Sequence, residues 1–118
     1  MYFSIDKDKD KVYCDGQVYS GIWKNNNMEG YGTMGLLDGR IYSGIWKKNK
    51  LEGYGVLIYI NGLTYGGVWK NNKLDGKGYI IYPNKQKRFG IWDKNVFKYD
   101  IISYMSSFYF YLNNRFFF

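Results

Sequence analysis

Apolar and polar positions along this chain alternate in short, recurring bursts. The run YSGIWK sets Tyr19, Gly21 and Trp23 against Ser20, Ile22 and Lys24, and a period of two places the two sets on opposite faces of an extended strand. A helix would scatter them. Each burst is followed by a polar, Asn-rich run (KNNNME, KKNKLE, KNNKLD), after which alternation resumes in GYGTMGL, GYGVLIYI and GKGYIIY. The polar run fits a hairpin loop. The return strand closes at Asp38-Gly39 and Asn61-Gly62, dipeptides that accept the positive φ angles of tight turns. The pattern predicts one β-hairpin per burst.

The bursts are copies of one unit. Trp23, Trp46, Trp69 and Trp92 stand 23 residues apart, and the units 19–41 and 42–64 agree at twelve positions, which excludes coincidence. A third unit spans 65–87. A partial one, 88–97, keeps Gly90 and Trp92 but begins with Arg88 instead of Tyr and lacks the EGYG half. Residues 1–18 read as an N-terminal partial repeat or cap, because Tyr13, Asp15 and Gly16 align with Tyr59, Asn61 and Gly62. Irregular ends suit an array whose terminal faces meet water instead of another copy. The expected fold is all-β: an antiparallel meander of about seven or eight strands, roughly 35 Å long at ~4.8 Å per strand, with two edges open to association.

Glycine inside a strand normally weakens it, so the pairs Gly30/Gly32, Gly53/Gly55 and Gly76/Gly78 need a cause. The expectation is a bare slot in which a neighbouring Tyr or Trp ring lies flat. The residues assigned to packing between units are accordingly Tyr19, Gly21, Trp23, Tyr42, Gly44, Trp46, Tyr65, Gly67, Trp69 and Trp92. Their periodicity favours glue over a ligand site, since a ligand needs its contacts once and an array needs them in every unit.

The pattern Y-x-G-x-W-K, a short polar loop, [ED]-G-x-G and a closing [DN]-G resembles the MORN (membrane occupation and recognition nexus) repeat, from Tyr19 to about Trp92. The resemblance implies the same hairpin meander. It also implies a tether between membranes, cytoskeletal structures and enzymes, or an accessory segment beside a catalytic domain that this chain has no room for. Arg88, Lys85 and Asp93 depart from the pattern in the fourth unit. Choline-binding repeats, the other aromatic and glycine-rich arrays, are built on W-Y-Y clusters that this sequence lacks.

Composition narrows the function. Aromatics make up 22% of 118 residues, so rings must carry most of the burial. There is no histidine, which removes the usual general base near neutral pH and the commonest metal ligand. Phosphate-loop, nucleophile-elbow and Cys/His signatures are absent as well, so neither enzyme activity nor a cofactor is expected. Glu29, Glu52 and Asp75 recur with the period and fit local hydrogen bonding or lysine pairing. Cys14 stands alone, without an intrachain disulfide partner. No stretch reaches the length of a membrane span, and the N-terminus alternates acid and base where a secretory signal needs an apolar run. A cytoplasmic location, peripheral at a membrane or cytoskeletal structure, is the expectation.

The net charge of +7 favours an anionic partner. Lys24, Lys47 and Lys70 occupy equivalent places on the face opposite Trp, about 10 Å apart, and form a stripe suited to anionic phospholipid. At ~1 kcal/mol per basic residue three lysines supply about 3 kcal/mol, short of stable anchoring. Nucleic acid ranks last, for want of a reader motif and of free rings. The aromatic tail, residues 98–118, is too apolar to stay exposed; it is expected to cap the last edge strand, to dock on a second copy as a homodimer, or to enter a bilayer surface. The sequence alone therefore points to a non-catalytic scaffold for a protein partner, with direct binding of anionic phospholipid as the alternative.

Overall fold

Four two-residue turns set the rhythm of the sheet. Asn25-Asn26, Lys48-Asn49, Asn71-Asn72 and Lys94-Asn95 all have positive φ, between 47° and 71°, the signature of the mirror-image turn whose twist matches that of paired strands. The computed structural model describes residues 2–6, 10–13 and 17–100. They form strands β1 (Tyr2–Asp6), β2 (Asp10–Tyr13), β3 (Val18–Lys24), β4 (Asn27–Gly35), β5 (Ile41–Lys47), β6 (Lys50–Ile58), β7 (Thr64–Lys70), β8 (Lys73–Ile81), β9 (Lys87–Asp93) and β10 (Val96–Asp100). All ten lie in one antiparallel sheet in chain order, with no helix among the described residues.

The meander is the expected one, with more strands than the seven or eight anticipated. The N-terminal segment makes a hairpin of its own, β1–β2. At the other end Lys94-Asn95 supplies the same turn although the EGYG half is missing. Arg88, standing where other units have Tyr, lies 4.0 Å from the Phe97 ring centre and grips Asp100 with two hydrogen bonds, 3.0 and 3.2 Å. β10 thus runs on through residue 98, where the tail was expected to begin. The rest of that tail, 101–118, lies outside the described residues, as do the structure and role expected of it.

One face of the sheet carries the core. Tyr19, Met28, Trp46, Leu51, Leu57, Trp69, Leu74, Ile80 and Trp92 are buried there, with Trp23, Tyr42, Tyr65 and Phe97 packed against them. The rings meet one another edge to face. Tyr19 meets Trp23 and Trp46 edge-on at 4.9 and 5.7 Å, and Tyr42 meets Trp69 at 6.3 Å and 78°. This geometry brings the positive ring edge to the negative face of its neighbour and adds about 0.5–1.5 kcal/mol per pair. The Trp46 and Trp69 indole N–H groups each donate across to the preceding unit, to the carbonyls of Gly32 and Gly55, at 2.9 and 2.8 Å.

The paired glycines do two different jobs instead of forming one slot. Within each hairpin the register slips just before Trp, and the first glycine of the pair takes the resulting bulge. Gly76, at φ 117°, faces Val68 there. The second lies where backbones converge. Gly78 pairs with Gly67, and a Cβ on Gly67 (φ 136°) would fall 2.5 Å from the Gly78 Cα, so no side chain fits. A Cβ on Gly78 itself would stand 3.2 Å from Trp92 and 3.3 Å from Leu74. A ring thus covers bare backbone at Gly78, and Tyr19 does the same at Gly32, but Leu51 fills the equivalent place at Gly55.

Candidate functional site

The register aligns seven glycines in a single rung across the sheet: Gly21, Gly32, Gly44, Gly55, Gly67, Gly78 and Gly90 pair successively from β3 to β9. On the core side this row lets the rings approach. On the outer side it leaves a floor of bare backbone between two walls. One wall holds Tyr31, Tyr54 and Lys77, which recur 23 residues apart at the centre of the G-x-G motif. The other holds Ser43, Val56, Tyr79 and Phe89, and together they enclose an open groove of about 570 Å³. Tyr31 and Tyr54 are each 70% exposed. Tyr79 covers Gly66 and leans on Phe89 at 6.2 Å.

The sequence reading missed this groove. Tyr31 and Tyr54 were in view as the third letter of EGYG, and alternation already puts that letter opposite the glycines flanking it. The signal was the period itself, which drew attention to the glycines and tryptophans. On the core side a smaller cavity, about 270 Å³, is lined by Tyr42, Leu57, Tyr59, Tyr65, Trp69 and neighbours. Burial pushes the Tyr42 and Tyr65 phenols above their ordinary range, which keeps them neutral packing groups.

Lys24, Lys47 and Lys70 end β3, β5 and β7, beside the tight turns and pointing away from the core. All three are exposed, and among the described residues none has an ion pair; the two pairs formed are Arg40–Asp38 and Arg88–Asp100. Lys48, Lys50, Lys73 and Lys94 lie along the same edge of turns.

This edge is stitched by a device that the sequence reading did not resolve. The second residue of each later turn is Asn, and it clamps the unit before. Asn49 Oδ1 accepts from Met28 N–H at 2.9 Å, Asn72 Oδ1 from Leu51 N–H at 2.8 Å and Asn95 Oδ1 from Leu74 N–H at 2.9 Å. In return each Asn N–H donates to the carbonyl of the same Met or Leu, at 3.3, 3.3 and 2.9 Å. Glu29 and Glu52 complete the stitch by accepting from Lys48 and Asn71 N–H at 3.3 and 3.1 Å. These carboxylates thus have the local hydrogen-bonding role expected of them. Asp75, one methylene shorter, makes no such bond among those formed by the described residues. No group of three or more potential metal ligands occurs among the described residues, and none of their helices is long and apolar enough to cross a membrane.

No curated protein matches the sequence. The MORN repeat does, at residues 19–39, 42–64 and 65–87, the three units whose hairpins, glycine rung and clamped turns have just been described. With more than half its length in those matches, the chain belongs to the MORN repeat family.

Proposed function

We propose that this chain is a non-catalytic interaction module that binds a segment of a protein partner along the outer groove. The observation that carries the reading is the division of labour between the two faces. Tryptophans and leucines on one face are consumed in joining units, whereas Tyr31 and Tyr54 on the other stand 70% exposed beside a backbone floor. Exposed tyrosines give large contact area at low entropic cost and commonly anchor interfaces. The absence of histidine supports a role without catalysis. Family membership supports a tether at a membrane or cytoskeletal structure. A random peptide library selected on the full chain tests the groove: enriched peptides should lose at least ~10-fold in affinity with Tyr54→Glu. Peptides indifferent to that change would refute it.

The second reading, binding of anionic phospholipid, is favoured by the unpaired lysines at the turn edge. Sedimentation with phosphatidylserine vesicles, compared with phosphatidylcholine alone, should then show capture that Lys24→Glu, Lys47→Glu and Lys70→Glu together abolish. Equal behaviour with both vesicle types removes this reading.

A further inference from the structure

We propose that the outer groove takes a proline-rich segment in the polyproline II conformation, with an acidic residue three positions beyond a pair of prolines; this rests on the reading of that groove as a docking surface and names the class of segment it takes. The spacing of one wall comes first. Tyr31, Tyr54 and Lys77 lie on β4, β6 and β8, two strands apart each time, or about 9.6 Å at ~4.8 Å per strand. A polyproline II chain turns once in three residues of ~3.1 Å each, about 9.3 Å in all. Every third side chain of such a segment therefore meets the next residue of the wall.

Width and floor disfavour the other regular conformations. Tyr54 and Val56 flank Gly55, and Lys77 and Tyr79 flank Gly78, so the two walls stand two residues apart along a strand, about 7 Å. An α-helix with its side chains is about 10–12 Å across and does not settle between them. The floor glycines belong to strands paired on both sides, so their backbone groups offer an added strand no free ladder. A polyproline II segment needs none, since its backbone stays hydrated. Prolines laid against Tyr31 and Tyr54, each 70% exposed, use the aromatic recognition common to this conformation.

Charge fixes the remaining position. Lys77 stands where the first two units have Tyr; it is exposed, and neither ion pair formed among the described residues involves it. With an ammonium in place of a ring, the third wall residue calls for a carboxylate. The resulting pattern is Pro-x-x-Pro-x-x-Glu, in one chain direction or the other.

Fluorescence anisotropy of labelled synthetic peptides titrated with the full chain tests the pattern. With Ala at each x, the better of the two chain directions should bind at least ~10-fold more tightly than a peptide of the same composition whose prolines stand two apart. Exchanging the peptide's Glu for Lys should weaken binding at least ~3-fold, and Lys77→Glu should reverse that preference while the demand for the proline spacing remains. No binding in either direction, equal binding of the respaced peptide, or a preference for Glu over Lys that survives Lys77→Glu overturns the proposal. The peptide changes leave the protein untouched, so they decide the spacing even where a variant misfolds. The underlying reading fails by a different result. Library peptides that need Tyr54 but lack the three-residue proline spacing would sink this inference and leave the docking surface standing; binding that keeps the spacing but ignores Tyr54→Glu would remove the groove, and this inference with it.

Discussion

Replacing Asn72 tests how the units are joined. Its Oδ1 is the acceptor for the N–H of Leu51 at 2.8 Å, and Leu51 is fully buried. Asn72→Gly deletes the acceptor and leaves the turn relaxed, because glycine accepts the φ of 66° without cost. A buried donor left unsatisfied costs about 1–3 kcal/mol, and that is the expected loss. Asn72→Ala adds the left-handed backbone penalty of a Cβ, about 1 kcal/mol more, for a total of roughly 2–4 kcal/mol. Urea unfolding followed by tryptophan fluorescence reads both variants. Because the clamp lies between the second and third units, its loss should also broaden the transition, as weaker coupling between repeats does. A Gly variant within ~0.5 kcal/mol of the parent would refute the clamp, and an Ala variant no worse than Gly would refute the backbone penalty.

Three further changes probe other joints. Trp69→Phe removes the donor to the Gly55 carbonyl and should cost about 1–3 kcal/mol in the same urea assay; no loss would mean the indole N–H is idle. Lys85 holds a left-handed conformation, φ 75°, where the turns of other units have Gly39 and Gly62, so Lys85→Gly should stabilise by up to ~1 kcal/mol, and a lower melting temperature would contradict this. Asp100 has its carboxyl held below the ordinary 3.8 by its hydrogen bonds from Arg88. A depressed folded-state value means that its stabilisation is complete above pH 3.8 and disappears as the pH falls below it. Exchange of the β9–β10 amides should quicken in that acid window, and Asp100→Asn should remove the pH dependence.

The hairpins were legible because their cause is local: period-two alternation, Asn-rich turns and Asx-Gly closures act within a few residues. The inward tryptophans were legible because the period repeats them. What the sequence hid depends on register. The glycine rung from Gly21 to Gly90 exists only once the strands are paired, and so does the outer groove that it floors. The Asn49, Asn72 and Asn95 clamps bridge residues 21 apart, a distance that no local pattern announces. Arg88 looked like a defect by letter matching; only the placement of Phe97 and Asp100 reveals it as a substitute for the missing Tyr.

Peptide affinity measured for a matched pair of variants, Tyr54→Glu on the outer groove and Lys47→Glu on the turn edge, tests the central claim most directly. Both residues are exposed, so neither change should disturb the core. The account predicts at least a ~10-fold loss for Tyr54→Glu and less than a ~2-fold change for Lys47→Glu. The opposite order would move the binding surface from the tyrosine groove to the lysine edge and contradict the account.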